Sequence, residues 1–405
     1  MIRGNAGLQE SFATLQVPAP FQSTAEDHTA TGSGLAKVYV IDGLLDLTLS
    51  LPLPQRFDLR RSAYECLKAY FQNHPEIRLH FLRRAIDGHR AGVDETANVL
   101  TVLLRSTADT TDPYRIWFAA MITLHLLFEN PTAKTLALGV TEGDASTGEE
   151  VVTSVQNVAA NLVRGLKRDV DPRVLVAYLV LLASWLFEDP DAVNALLGEG
   201  SLIQDLSQPS SPNEVVQGLC ALLLGIAYEF STKDSPIPRS TLHTILASRL
   251  GRDRYLEKLG RLRSNPLMRD FEVGPQKWDL SGGMLPEVFF DQTFVDFFKD
   301  NYGRFVRAID RDPGIEVSVV TNGVQKGISR ELVDSLRARI DEQDKRIQTI
   351  EFESIALRRQ LELEQMEHKK TRDTCVNDIA KMRSTTDGHQ RRHEEELAYV
   401  SFRLR

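Results

Sequence analysis

Two stretches of the sequence repeat at one fixed offset, and this repetition limits the possible folds more than any other feature. Asp112-Pro113 opens an apolar run that closes with Leu127-Phe128-Glu129-Asn130-Pro131. Asp171-Pro172 opens a second run that closes with Leu186-Phe187-Glu188-Asp189-Pro190, each element 59 residues after its counterpart. In each copy the Asp caps a helix by accepting backbone N–H bonds, and the Pro fits the first helical position because no N–H is needed there. The second Pro ends the helix. Weaker copies run from Asp58 through Ala63, Leu67 and Phe71 to Pro75, and from Asn213 through Val216, Leu219, Leu223 and Ile226 to Phe230. Their starts are 54, 59 and 42 residues apart. Units of about 40–47 residues built from two or three helices are the signature of armadillo and HEAT solenoids. The longer spacings then carry loop insertions such as Val140–Glu149.

The run Arg173–Phe187 is apolar around its whole circumference. A helix of that kind must be buried on all sides, as an inner helix sandwiched between neighbouring repeats is. Val174–Phe187 and Val215–Tyr228 are therefore expected to be buried helices of adjacent units, packed antiparallel. No sustained alternation of apolar and polar residues is present, and only Ile315–Val320 reads as extended. The fold class is all-α.

Residues 285–310 read as an aromatic helix with Pro286 near its start. Phe290, Phe294, Phe298, Tyr302, Phe305 and Ile309 recur at three and four and form one stripe. The expectation is that this helix caps the C-terminal end of the solenoid, with its stripe as core rather than interface. Asp312-Pro313-Gly314 breaks it. From Ser329 the composition shifts to Glu, Arg, Gln, Leu and Ile, without proline to the end. Val333, Leu336, Ile340, Gln343, Ile347, Ile350, Ser354, Leu357 and Leu361 fall on alternating steps of three and four, and seven of the nine are apolar. That is the heptad seam of a coiled coil, weakening where His368, Thr371 and Asp378 take later seam positions. The domain reading is a disordered segment over 1–36, an armadillo-like head over 37–310, a linker over 311–328 and a coiled coil over 329–405.

Composition bears on what such a chain does. Of 405 residues, 48 are Lys or Arg and 56 are Asp or Glu, a net charge of −8 that lacks the basic footprint of a general nucleic-acid binder. Cys66, Cys220 and Cys375 form no C-x-x-C pair or disulfide framework, which favours a reducing, intracellular setting. Cys66 and Cys220 read as small core hydrophobes. The N-terminus carries no apolar core of signal-peptide length, and the longest apolar runs fall short of the ~20 residues a membrane span needs. A soluble protein with at most peripheral membrane contact is expected. Gly32-Ser33-Gly34-Leu35-Ala36-Lys37 lacks phosphate-loop spacing and reads as a linker. His389 and His393 stand at i and i+4 without a third metal ligand, and His125 and His243 read as hydrogen-bonded core histidines. No nucleophile elbow or paired general acid and base is found, so no catalytic, cofactor or metal site is assigned. The cluster Arg249, Arg252, Arg254, Lys258, Arg261 and Arg263 fits a solvated face or an acidic protein partner.

Further residues carry a family resemblance. Val216-Gln217-Gly218-Leu219-Cys220-Ala221-Leu222-Leu223-Leu224-Gly225-Ile226 is followed by Arg249-Leu250-Gly251 and Tyr255-Leu256-Glu257-Lys258-Leu259, then by Phe290-Asp291 and the Phe294 to Phe298 spacing ahead of a linker and coil. In this order the chain resembles the Uso-type vesicle-tethering factors, or general vesicular transport factors, over about 38 to 361. The resemblance implies an armadillo-like head on a parallel homodimeric rod. It also implies tethering of vesicles in ER-to-Golgi and intra-Golgi transport, and partners among Rab GTPases, SNAREs and golgins. The implied location is cytoplasmic and peripheral on Golgi and vesicle membranes. The family pattern has repeats before the first seen here, a longer rod and an acidic tail. On this resemblance the chain is expected to match the rear of the head plus the start of the rod, and golgin binding through a tail is not carried over. The other reading is an unrelated armadillo-like adaptor. A peptide-carrier version of it is weakened because Trp117, Trp185 and Trp278 form no repeated Trp-x-x-x-Asn pattern.

Overall fold

The computed structural model describes residues 2–18, 37–50, 57–92, 97–105, 112–143, 148–168, 170–273, 286–317, 319–321, 324–326 and 330–404, with side chains outside 318–342 and 344. The chain forms two compact units, Met1–Ile328 and Ser329–Arg405.

The first unit is a stack of three-helix repeats. Helices α1 (Ala6–Ala13), α2 (Val40–Leu49) and α3 (Phe57–Phe71) make the first. Helices α4 (Pro75–Ala91), α5 (Val99–Leu104) and α6 (Pro113–Leu127) make the second. Helices α7 (Pro131–Leu138), α8 (Ser154–Lys167) and α9 (Pro172–Leu186) make the third, and α10 (Pro190–Leu197), α11 (Leu202–Ser207) and α12 (Glu214–Phe230) the fourth. Helices α13 (Arg239–Arg249), α14 (Arg252–Ser264) and α15 (Pro266–Arg269) follow, then α16 (Gln292–Ala308). The architecture is an armadillo-like solenoid. Three antiparallel hairpins decorate it: β1 (Gln16–Pro18) with β2 (Lys37–Tyr39), β3 (Thr141–Glu142) with β4 (Val152–Thr153), and β5 (Val319–Thr321) with β6 (Val324–Lys326). The last overlaps the stretch expected to be extended.

The caps form as the sequence dictates. Asp112 accepts from the Tyr114 and Arg115 N–H groups, Asp171 from Arg173, and Asn213 from Val215 and Val216. The helices they open close their units rather than begin them. The second proline of each copy also has another role than expected. Pro131 and Pro190 open α7 and α10, capped by Asn130 and Asp189, while the chain reverses one residue earlier. Glu129 at φ 51° and Glu188 at φ 59° take the left-handed conformation there, as Asn73 does at φ 56° before His74-Pro75. Left-handed backbone is costly for residues other than glycine, so its recurrence at one point of each repeat marks a turn that packing imposes.

Helices α6, α9 and α12 run parallel, not antiparallel. The Arg173 guanidinium lies over the Tyr114 ring where α9 and α6 start, and the Phe187 and Phe230 rings meet where α9 and α12 end. Equivalent elements of successive repeats keep their direction because each repeat is a translated copy of the last. Their burial is as expected, every residue from Val174 to Leu186 being buried.

Packing against neighbouring repeats leaves the last carbonyls of the long helices short of water, and they need donors. The first helix of a repeat supplies them to the third. Gln9 Nε2 of α1 donates to the Tyr70 and Gln72 carbonyls at 2.9 and 2.8 Å. Arg78 Nη1 of α4 donates to the Phe128 carbonyl at 2.8 Å, and Lys134 Nζ of α7 to that of Phe187 at 2.7 Å. At the end of α12 the donor comes from the following helix, Arg239 Nη1 reaching the Glu229 carbonyl at 3.0 Å.

This corrects the reading of residues 1–36 as disordered. Helix α1, capped by Asn5, carries Gln9 at 1% exposure in the place that Arg78 and Lys134 hold in later repeats. The remainder of that segment, 19–36, and with it most of the Gly-rich stretch, lies outside the described residues, as does Trp278. Replacing Gln9 with Ala leaves buried carbonyls without a donor and is expected to cost about 1–3 kcal/mol. Urea denaturation measures this, and hydrogen exchange is expected to show α1 losing protection first.

Candidate functional site

The aromatic segment is where the structure departs most from the sequence reading. The helix starts at Gln292 rather than near 285, because Asp291 Oδ1 accepts the Thr293 N–H and caps it there. Phe290 therefore precedes the helix, and Pro286 lies in an extended approach whose carbonyl accepts from the Tyr114 hydroxyl and from Arg173 Nη1. Trp117 Nε1 donates to the Phe289 carbonyl at 3.0 Å. The segment does not cap the end of the solenoid. It runs across the ends of successive long helices as a strap, from α3 and α6 at Asp291 to α12 and α14 at Phe305 and Arg311.

Asp291 anchors the strap. Its Oδ2 accepts from Tyr64 Oη and Lys68 Nζ, both at 2.8 Å, and His125 Nε2 stands 3.2 Å from Oδ1. Burial alone would raise the carboxyl's pKa, but the His125 and Lys68 side chains outweigh it and hold the group well below the usual carboxylate range. Further along, the Phe297 ring packs edge-on against Phe128 and Phe187 at 6.0 and 4.9 Å between centroids. Tyr255 Oη donates to the Phe305 carbonyl and Tyr228 Oη to that of Arg311, each at 2.6 Å. Phe290, Phe294 and Phe298 are buried to 1% exposure or less, so the stripe is core. None of the anchoring contacts was read from sequence. The one signal for them was an Asp directly after Phe290 and before the helical spacing, which is a cap signature.

The other candidates resolve individually. Cys220 is buried, and burial pushes its thiol up to about 12. Cys66 is exposed, contrary to expectation, because α3 turns Ala63, Tyr64, Leu67 and Tyr70 inward and Cys66 falls on the other side. His389 and His393 are exposed, and His243 packs against the Tyr228 ring. In the basic cluster Arg252 pairs with Asp310 at 2.7 Å, Arg261 with Glu257 at 2.7 Å, and Arg263 lies over the Tyr302 ring. Among the described residues no group of His, Cys, Asp or Glu is placed to hold a metal ion, and no helix is long and apolar enough to cross a membrane.

The second unit is one helix, α17 (Arg330–Arg403), 74 residues and therefore about 110 Å long. Ile347, Ile350, Leu357 and Leu361 of the expected seam are all more than half exposed on it. The side chains of Val333, Leu336 and Ile340 lie outside the described residues. Phe352, Leu363 and Met366 are also exposed and lie off the seam, which the heptad reading missed.

Comparison with known proteins follows the same division. The family described as "Uso1 / p115 like vesicle tethering protein, head region" matches residues 5–309. The intracellular protein transport protein USO1 of Saccharomyces cerevisiae is 25% identical over 366 residues, 78% of this chain and 20% of that protein. The general vesicular transport factor p115 of Homo sapiens is 30% identical over 226 residues, 54% of this chain and 23% of that protein. The chain thus spans about a fifth of the length of these relatives. The crystal structure titled Uso1-2 superposes with a TM-score of 0.67 at 26% identity, covering 77% of this chain and 48% of that one.

Asp291→Asn removes the charge that Lys68 and His125 face and is expected to cost about 3 kcal/mol at neutral pH. A carboxyl with a depressed folded pKa contributes stability that is complete above its unfolded value, about 4, and lost as pH falls through the folded value. The gap between wild type and variant should therefore hold from neutrality down to about pH 4 and close below it, as measured by denaturant titration across that range. Phe294→Ala, at a closed site, should cost about 3–5 kcal/mol at every pH.

Proposed function

This chain belongs to the Uso1/p115-like family of vesicle tethering proteins, and from that premise we propose that it is a non-enzymatic tether and scaffold of ER-to-Golgi and intra-Golgi transport. The head, over 37–310 and extended to include α1, offers a solenoid surface to Rab GTPases and SNAREs. A linker over 311–328 leads to the rod, over 329–405, which pairs in parallel with a second copy. Golgins belong among the partners by family resemblance. The protein acts in the cytoplasm and sits peripherally on Golgi and vesicle membranes. Tethering requires two ends held apart and no reaction.

The observation that carries the dimer is the unpartnered seam of α17. A single helix leaves Ile347, Ile350, Leu357 and Leu361 in water. Two helices bury them, at about 1.5–3 kcal/mol for each side chain fully enclosed, before the entropy of ordering. Gln343 and Ser354 in the same seam lower stability but favour one register, since a slipped pairing sets them against apolar residues. Two heads on one rod then bind a membrane with the avidity that linked sites provide.

Sedimentation of the full chain at tens of micromolar should give a dimer, and the Ile347→Asp, Ile350→Asp variant a monomer with its head still folded. A monomeric wild type at that concentration overturns the rod as the dimerising element. Pull-down from cell extract with Rab GTPases and Golgi SNAREs as readouts then separates the tether from an unrelated armadillo-like adaptor.

A further inference from the structure

The strap crosses one junction between neighbouring repeats for every two turns of its helix. Phe297 and Arg304 are seven residues apart, about 10 Å along α16, which matches the spacing of packed helices. At the junction of α9 and α12, Arg304 lies over the Phe187 and Phe230 rings at 5.0 and 4.9 Å. Its Nη1 is 2.8 Å from Glu188 Oε1 and its Nε 3.0 Å from Glu229 Oε1. An aromatic pair, the exposed Glu188 and the buried Glu229 thus receive one guanidinium, the arrangement that suits its flat, delocalised charge.

The preceding junction, of α6 and α9, also joins two phenylalanine rings and two glutamates, of which Glu188 is already paired with Arg304. Phe128 and Phe187 form the floor, and Glu129 and Glu188 project from the left-handed turns. Here the strap contributes Asp296, Phe297 and Asp300 instead of a cation, and the result is a cleft of about 650 Å³. That volume is within the range of ligand sites. Glu129, Asp296 and Asp300 are exposed, and none is in an ion pair among the described residues; Asp296 accepts a hydrogen bond from Gln292. Lys134, the cation of the cleft, is engaged by the Phe187 carbonyl, and burial pushes its ammonium down to about 8. A second observation points to a ligand. Asn130, 7% exposed and lining the same cleft, uses Oδ1 to cap α7 and leaves Nδ2 buried with no acceptor among the described residues.

We propose that this cleft binds an arginine-bearing segment of a partner protein. The guanidinium sits among the exposed carboxylates of Glu129, Asp296 and Asp300, beside the Phe128, Phe187 and Phe297 rings that line the cleft. The unpaired Asn130 Nδ2 is the donor for a backbone carbonyl of the segment. Recognition of this kind does not depend on the rod pairing or on the tethering reading.

The probe is a fluorescein-labelled peptide of alternating arginine and glycine, with a neutral peptide carrying citrulline for arginine as its control, read by fluorescence anisotropy on the full chain. The variant Glu129→Gln, Asp296→Asn, Asp300→Asn should bind the arginine peptide about tenfold or more weakly. The matched variant Glu351→Gln, Glu353→Gln, Glu362→Gln on α17, with the same change in net charge, should bind as wild type does. Equal losses in the two variants, equal binding of the citrulline peptide, or no binding by wild type overturns the proposal. Should the first variant melt early, Asp296→Asn and Asp300→Asn made singly at exposed positions give the same comparison. The Ile347→Asp, Ile350→Asp variant should keep its peptide affinity per chain, which separates failure of the cleft from failure of the rod.

Discussion

The donors that reach the ends of the long buried helices are the interaction on which the rest of the solenoid depends. A helix such as α9, apolar all round, gains from every side of its burial, and its last carbonyls are the one polar demand it makes. The first three repeats meet that demand from their own first helix, through Gln9, Arg78 or Lys134, and the fourth meets it from α13 through Arg239. The bond fixes the distance between first and third helices and holds the turn where Asn73, Glu129 and Glu188 adopt left-handed backbone. The stack of parallel third helices follows from repeating that device.

The strap adds a constraint that a simple solenoid lacks. Solenoid repeats ordinarily touch only their neighbours, so stability sums along the array. Here Asp291 meets Tyr64 across 227 residues of sequence, and Arg304 and Arg311 meet Glu229 from a segment that also touches α6 and α9. One element therefore spans the ends of the long helices, and loosening any repeat disturbs contacts made by the others. The seven-residue step from Phe297 to Arg304 carries the strap from the junction of α6 and α9 to that of α9 and α12. Its aromatic spacing of three and four is the period of α16, which turns Phe294, Phe298 and Phe305 to one buried face.

What was legible in the sequence was local. Asp112-Pro113 and Asp171-Pro172 declare their helices because a cap and the residues it serves are neighbours in the chain. The all-apolar runs declare burial because no other environment accepts them. Gln9 was illegible, since one polar residue in an unremarkable stretch serves carbonyls some sixty positions away. The direction of packing was illegible too, because periodicity gives a buried face but not which neighbour covers it. The strap failed for the same reason. Its stripe was read correctly as buried, while its placement is set by Lys68, His125, Glu188 and Glu229, all remote in sequence.

Burial also sorts the carboxylates of the strap's junctions by role. Glu229 is 2% exposed, and a charge in that position must be matched, as Arg304 and Arg311 match it. Asp291 is 4% exposed and is matched by Lys68, with Tyr64 Oη and His125 Nε2 against the same carboxylate. Removing those cations would leave a buried charge alone, so these pairs are fixed parts of the fold. Glu129, Asp296 and Asp300 stand in water, where an unpaired carboxylate costs nothing to keep. None of the three is in an ion pair among the described residues, and their charge can be matched from outside. An incoming guanidinium finds carboxylate partners there, and the head can bind it without rearranging the junction that supports the site.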